Sequence, residues 1–220
     1  MKKLIGMMVF GAAVLGTGCA DGQKNPDGRG SSGEAQEGLD GWQGRKVLVA
    51  YYSASGTTQA VAEKIAAALG ADLFEIESEP PYSDADLNYR NESSRVCREH
   101  ETIFDGKANG TATAADVNRL PVALKGTAPN WSGYDTVFIG YPIWWGIAAW
   151  PADAFAAQND FSDKTVIPFS TAISSGIGRS GELLKDLAGA KGTWLGGRGF
   201  KTRTTESDVR SWLAEINLKK

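Results

Sequence analysis

The stretch "KVLVAYYSASGTTQAVAEKIAAALG", Lys46 to Gly70, decides the fold. Its first part, "KVLVAYY", is a compact apolar run with β-branched valines, as expected of a strand buried in a parallel sheet. Beyond it the period changes. Val61, Ile65 and Leu69 stand four apart with Ala62 and Ala66 beside them, which is one packing face of a helix, and Gly70 is a natural C-terminal stop. Between strand and helix lies "SASGTT", Ser53 to Thr58, with four hydroxyl side chains and neither lysine nor arginine. A parallel sheet binds ligands at the carboxyl ends of its strands. A helix N-terminus there presents unpaired N–H groups and a partial positive charge. Ser53, Ser55, Thr57 and Thr58 add hydroxyl donors and Gly56 lets the backbone wrap closely, so the turn can cradle a phosphate dianion without a cation. Taken alone, the same turn also reads as a Ser/Thr-rich helix cap.

The alternation continues. "ADLFEIE" (71–77), "DTVFIGY" (135–141) and "KTVIPFST" (164–171) are further strand candidates, and "GTWLGGRGF" (192–200) is a weaker fifth. Pro151 suits the first turn of a helix over "PADAFAAQ". Ser180 is placed to cap "GELLKDLAG". A last helix begins near Thr205, with Asp208 three residues on, and Val209, Trp212, Leu213 and Ile216 follow the helical period. Strands alternating with helices predict an α/β fold with a parallel sheet wound on both faces. One segment breaks the rhythm: a long insert, Ser78 to Tyr134, between the second and third strands. "NESSRVCREHE" within it reads as helix and the remainder as loop with one short helix. So long a stretch inside a compact domain implies a task.

The chain of 220 residues is 42% hydrophobic and 22% charged, with a formal net charge of −3, so nothing in its charge points to a nucleic-acid binder. Its start is different. Lys2 and Lys3 precede an apolar run from Leu4 to Leu15, too short to span a bilayer and suited to a signal-peptide core. "LGTGC" resembles a lipoprotein processing site ending at Cys19, although Leu15 stands four residues before the cysteine rather than three; cleavage after Ala20 is the alternative. The expected organisation is a signal peptide over 1–19 with Cys19 lipidated, a flexible Gly/Ser/Asp/Glu-rich linker over 20–45, and one domain over 46–220. The protein is thus expected to be exported and anchored by lipid at the cell envelope. Only two cysteines exist, so a lipidated Cys19 leaves Cys97 without an intramolecular partner.

Two further loops strengthen the phosphate reading. "GYPIWWG", Gly140 to Gly146, follows the third strand, and "STAISSGIG", Ser170 to Gly178, follows the fourth; both reach the same sheet edge as "SASGTT". Adjacent tryptophans leaving a strand end diverge and make poor core. A flat aromatic ligand would explain them, and so would packing beneath the insert.

With "YYSASGTT", "VFIGYPIWWG" and "VIPFSTAISSGIGRSGE" in this order, the chain resembles the flavodoxin family over Lys46 to Lys220, especially flavodoxin-like proteins with a Pro-Ile-Trp-Trp-Gly loop. The resemblance implies a doubly wound, five-stranded parallel sheet of order 2-1-3-4-5, FMN as cofactor and a redox function. It implies that Ser53, Ala54, Ser55, Gly56, Thr57 and Thr58 hold the FMN phosphate. Pro142, Ile143, Trp144, Trp145 and Gly146 would line one side of the isoalloxazine. Thr171, Ala172, Ser174, Ser175, Gly176 and Gly178 would meet its polar edge, mostly through backbone groups. An apolar, aromatic, weakly acidic pocket would disfavour extra negative charge on the reduced ring and lower its potential. No acid–base residue and no metal site is expected. The partner is a redox protein or a small-molecule acceptor. The alternatives are an NAD(P)H-dependent quinone or small-molecule reductase of the same fold, and a non-redox lipoprotein that binds a phosphate or nucleotide.

The remaining candidates have plainer readings. His100, the one histidine, lies between Glu99 and Glu101 and is expected on a solvated face. Cys97 reads as a small, partly buried residue. Tyr82, Asn88 and Tyr89 could cover the flavin or pin the insert. The acidic run Glu75, Glu77, Glu79, Asp84 and Asp86 reads as a solvated face or a docking face.

Overall fold

The computed structural model describes residues 38–216 and Leu218. The leader, Cys19 and residues 20–37 of the expected linker lie outside the described residues. A parallel sheet is built from β1 (Val47–Tyr51), β2 (Asp72–Glu75), β3 (Thr136–Trp144), β5 (Thr165–Thr171), β6 (Thr193–Trp194) and β7 (Arg198–Phe200); β4 (Ile147–Ala148) pairs antiparallel with the end of β3. The order is β2-β1-β3-β5-β6, with β7 continuing beside β5. This is the expected 2-1-3-4-5 order, with the fifth strand in two pieces. Val166 pairs with Trp194 and Phe169 with Arg198, so the outer strand carries one extra residue over that interval, as at a bulge. Pro168, which has no N–H for the ladder, sits opposite the break. Gly197 passes so close that a Cβ there would stand 2.3 Å from the Pro168 carbonyl oxygen.

Side chains alternate between two faces, and both are covered. On one face Val49, Tyr51, Phe138, Ile167 and Phe169 pack with Val61 and Ile65 of α1 (Thr57–Leu69) and with Val209, Trp212 and Leu213 of α6 (Glu206–Glu215). On the other, Leu48, Ala50, Val137, Ile139 and Tyr141 pack with Phe155 of α4 (Trp150–Gln158) and Leu184 of α5 (Ser180–Leu187). Gly140, in the middle of β3, lies under the Phe169 ring; a Cβ there would stand 2.1 Å from Cζ.

Three expectations need correcting. The third strand does not give way to a loop at Gly140 but runs on to Trp144 and turns back as a hairpin. Ser180 does not cap α5. It is the helix's first residue, and its hydroxyl donates to the Ile177 carbonyl at 2.6 Å. The last residues of the supposedly flexible 20–45 segment are ordered on the domain. Leu39 and Trp42 are buried, the Trp42 indole stacks on Phe138 at 5.5 Å, and its Nε1 donates to the Leu213 carbonyl at 3.1 Å. A lone tryptophan with two long-range partners outweighs the polar composition around it.

The insert carries α2 (Arg95–Phe104), capped by Ser94 accepting from the Cys97 N–H, and α3 (Ala114–Val117), closed by a Thr113–Asp116 capping box. It has its own small core, with Ile103, Phe104, Val117 and Val122 against Ile147, Trp150 and Leu183. Asp116 fastens it further, accepting from Lys107 at 2.6 Å and Arg119 at 2.9 Å. The Lys107 contact, with those from Thr113, holds the Asp116 carboxyl below the usual range.

Asp153 of α4 is fully buried and, among the described residues, neither carboxyl oxygen has a hydrogen-bond partner. Burial pushes its carboxyl well above the ordinary value, so the fold holds the neutral acid. The unfolded chain releases that proton above about pH 3.9 while the folded chain keeps it, so stability falls as pH rises through that window towards the folded value. Asp153→Asn removes the dependence. Its melting temperature should differ little from the parent's at pH 4 and exceed it by several degrees at pH 8. A gap that does not widen with pH would mean that Asp153 ionises in the fold.

Candidate functional site

The register of the three central strands brings three loops to one edge. Tyr51 is level with Gly140 and Gly140 with Phe169; Pro142 is level with Thr171. The chain leaving β1 is held to β3 by the Tyr52 N–H, which donates to the Gly140 carbonyl at 2.9 Å.

The first loop turns at Gly56, whose φ of 79° is the left-handed geometry that glycine adopts without strain. Ser53 Oγ accepts from the Gln59 N–H at 3.2 Å and so caps α1 from three residues before Gly56. Ser55 Oγ and Thr57 Oγ1 are 3.4 Å apart at the exposed mouth. Among the described residues, the N–H groups of Ser55, Gly56, Thr57 and Thr58 donate to no protein group. Those of Gly56, Thr57 and Thr58 are orphan donors of a helix of 13 residues, and the Ser55 N–H stands just before them. The Thr58 hydroxyl turns away from this mouth. It is buried and lies 2.7 Å from the equally buried Thr171 hydroxyl at the end of β5.

The second loop is the β3–β4 hairpin. Its turn is Trp145–Gly146, with φ of 46° and 86°, the positive pair that a tight two-residue hairpin demands. Gly146 also abuts the insert: a Cβ there would stand 2.8 Å from the Gly110 α-carbon. The two tryptophans diverge. Trp144 meets Tyr52, Tyr82 and Trp150 edge-on at 5.6, 5.5 and 5.3 Å. Trp145 stacks on Trp150 at 6.0 Å and lies tilted against His100 at 4.5 Å. His100 in turn stacks on Phe104 at 4.6 Å and its Nε2 is 3.0 Å from Asn109 Oδ1. With 18% of its side chain exposed, His100 is not on the solvated face expected of it. Its position with Val96, Ile103 and Phe104 at helical spacing was the available signal.

A cleft of 270 Å³ opens between hairpin and insert, lined by Leu87, Tyr89 and Val96 on one side and Ile143, Trp144 and Trp145 on the other. Tyr89 is 66% exposed at its rim. Asn88 does not face it usefully; its Oδ1 accepts from the Arg90 N–H in a local turn. Behind Trp144, Tyr82 donates to Glu99 at 2.6 Å, Arg95 donates to the other Glu99 oxygen at 2.7 Å, and the guanidinium lies 3.9 Å from the Tyr82 ring centre. Burial, then the Glu99 hydrogen bond, pushes the Tyr82 hydroxyl far above its usual range; burial does the same to Tyr52. Both phenols keep their protons. Leu87 and Val96 line the cleft, and Arg95 and Glu99 lie behind it; sequence reasoning singled out none of the four for this role.

The third loop, Ala172 to Arg179, carries Ser174, Ser175, Gly176 and Gly178 at the surface, and Ile173 is 91% exposed. Its entrance is tied by the Ala172 N–H to the Phe200 carbonyl at 3.1 Å. At its exit Tyr141, level with Ser170 on β3, lies 3.0 Å from the Ser180 hydroxyl. The arrangement can receive a dianion at one corner and a flat ring beside it.

A family model described as Flavodoxin matches residues 46–216. Among solved structures, a protein designated a flavoprotein from Bacteroides eggerthii DSM 20697 is 38% identical, covers 80% of this chain and 99% of its own, and superposes with a TM-score of 0.67. A similarly designated protein from Bacteroides uniformis ATCC 8492 is 32% identical over 78% and 99% of the two chains, with a TM-score of 0.64. A flavoprotein in complex with FMN from Lactobacillus acidophilus NCFM shares the fold at 20% identity, with coverage of 76% and 98% and a TM-score of 0.50. No curated protein matches.

Gly146→Ala tests the hairpin. It places a side chain at positive φ and against Gly110, so it should cost about 1–3 kcal/mol in urea denaturation. Gly176→Ala, where a Cβ meets nothing within 4 Å and φ is not positive, should cost under about 0.5 kcal/mol. Equal losses would mean that the hairpin does not depend on its glycine.

Proposed function

The chain belongs to the flavodoxin family, and we propose that it is an FMN-binding redox protein working at the cell envelope. The observation that carries this reading is the sheet edge, where orphan helix N–H groups, an aromatic cleft and a polar surface loop converge. The residues fit the cofactor. The N–H groups of Ser55, Gly56, Thr57 and Thr58, the Ala54 backbone and the hydroxyls of Ser53, Ser55 and Thr57 would hold the phosphate. Thr58 would serve through its N–H alone, because its hydroxyl is bonded to Thr171. Pro142 to Gly146 would line one side of the ring and Thr171 to Gly178 its polar edge.

Bound FMN would supply electron-transfer chemistry. The chain's own part is to bind, orient and set the surroundings. Beside the cleft, Arg95 and Glu99 neutralise one another and Tyr52 and Tyr82 stay protonated, so the groups behind Trp144 bring no net positive charge towards a reduced ring. That supports a low potential. Anchoring at Cys19 belongs to the same proposal and would confine the exchange to the membrane face. A second reading, an NAD(P)H-dependent quinone or small-molecule reductase, is favoured by one observation: Leu87, Tyr89 and Val96 build a second wall that a bare electron carrier would not need. Anaerobic reduction of the FMN-loaded protein by NADH or NADPH, with a quinone as acceptor, separates the two. A colourless protein that rejects added FMN would leave only a non-redox phosphate or nucleotide binder.

Two binding measurements test the placement. Ser55→Asp puts a carboxylate among the phosphate donors, so it should weaken FMN by about 2 kcal/mol or more and riboflavin far less, followed by flavin fluorescence quenching. Equal weakening would indicate a disturbed fold. Trp145 already has Trp150 stacked on it and His100 tilted against it, whereas Trp144 meets its neighbours edge-on, which makes Trp144 the candidate to meet the ring. Trp144→Ala should therefore cost FMN affinity about 0.5–1.5 kcal/mol beyond lost area, and Trp145→Ala less. Unchanged affinity in both variants would remove the hairpin from the site.

A further inference from the structure

The third loop hangs between two buried hydroxyl pairs. At its entrance Thr171, the last residue of β5, meets Thr58 at 2.7 Å, and both are buried. At its exit Ser180, the first residue of α5, is fully buried; its hydroxyl donates to the Ile177 carbonyl at 2.6 Å and lies 3.0 Å from Tyr141 Oη. A serine hydroxyl has one proton, and Ile177 receives it, so Tyr141 donates to Ser180. Between these anchors Ile173 to Gly176 are exposed, and no side chain from Ala172 to Gly178 makes a hydrogen bond among the described residues. The loop's internal ties are the two Ser180 bonds to Ile177, one from the N–H at 3.2 Å and one from the hydroxyl.

Each anchor reaches a different part of the site. Thr58 is the second residue of α1, whose N–H belongs to the phosphate seat. Tyr141 immediately precedes Pro142 in the hairpin strand. The two pairs therefore join the third loop to the phosphate seat at one end and to the hairpin at the other, beneath the surface on which a ligand would lie. We propose that Thr58 and Tyr141 are positioning residues: neither hydroxyl touches the ligand, and together they set where the third loop stands against the ring of a bound flavin. The inference rests on the flavin reading above. Its energetic basis is that breaking the Thr58–Thr171 pair strands the buried Thr171 hydroxyl, and that removing the Tyr141 hydroxyl leaves Ser180 tied to Ile177 alone, so in each case the loop loses a buried tie to its neighbour and shifts.

The test is riboflavin, which has the ring and lacks the phosphate. Thr58→Val and Tyr141→Phe keep side-chain shape and remove one hydroxyl each. Each should weaken riboflavin about tenfold, the effect of one lost buried hydrogen bond. Each should also change the bound flavin's visible spectrum and midpoint potential. Thr58→Ser restores the hydroxyl and should restore all three readings. Thr58→Val combined with Thr171→Val replaces the pair by two apolar groups and should recover stability without recovering riboflavin affinity. If the variants melt lower while riboflavin affinity, spectrum and potential stay at the parent's values, the hydroxyls are structural only and the proposal fails. If Thr58→Val weakens FMN but not riboflavin, Thr58 acts on the phosphate alone and the proposal fails. If the parent protein binds neither FMN nor riboflavin, the flavin reading itself falls.

Discussion

Phe169 lies with its ring against the bare α-carbon of Gly140, and the site depends on this contact. The two residues are level in neighbouring strands, with Tyr51 of β1 level on the other side. A one-residue slip of β5 against β3 would set Phe169 opposite Ile139 or Tyr141 and reverse every side chain of the strand. Only a residue without Cβ accommodates the ring at this distance, so the glycine fixes one register. That register levels Pro142 with Thr171, and the Tyr52 bond to Gly140 levels the first loop with both. Three loops far apart in sequence thereby leave the sheet at the same height.

The electrostatics of the edge follow from how its polar groups are spent. The first turn of α1 keeps its N–H groups unpaired because Gly56 supplies no capping side chain and Ser53 reaches only Gln59. Those dipoles are aligned by the fold before any anion arrives, so binding a dianion demands little reorganisation. The absence of a cation has a consequence beyond the phosphate. A lysine or arginine so near the ring position would stabilise negative charge there, whereas N–H dipoles act over the first turn and fade beyond it. The Arg95–Glu99 pair works in the same direction, since it places a guanidinium against Tyr82 and cancels its charge in the same step.

The central strands were legible because burial on both faces leaves a continuous apolar run, and α1 and α6 were legible from their period. The hairpin was not, because Trp145–Gly146 is not a common turn pair and the flanking "PIW" and "IA" are short. The break in the fifth strand depends on Pro168 of its neighbour, and the order at Trp42 depends on Phe138 and Leu213; neither partner is near in sequence. The same holds within the site. "SASGTT" advertises hydroxyls and orphan donors, yet nothing local reveals that the Thr58 hydroxyl is taken by Thr171, 113 residues away. His100 was obscured by its acidic neighbours, although the spacing from Val96 to Phe104 carried the contrary message. Sequence marks which residue types collect at the edge; packing decides which of their atoms remain available.

The insert is the feature whose build bears most on function. A lid that opens with each turnover would be expected to rest on few contacts and to draw on the low-stability end of the fold. This insert is fastened otherwise. Ile103 and Phe104 are buried against the hairpin and α4 side of the domain, Asp116 gathers Lys107, Arg119 and its own helix cap, and Tyr82 is tied by Glu99 and Arg95 behind Trp144. Gly146 presses on Gly110 with no room for a side chain. Opening such a segment would expose apolar surface and break several charge-assisted bonds together. The wall formed by Leu87, Tyr89 and Val96 is therefore a fixed one, and what enters the cleft must pass the exposed rim at Tyr89 and be thin enough for a standing gap. A fixed gap selects on shape: it admits what is flat enough to enter without moving the insert aside.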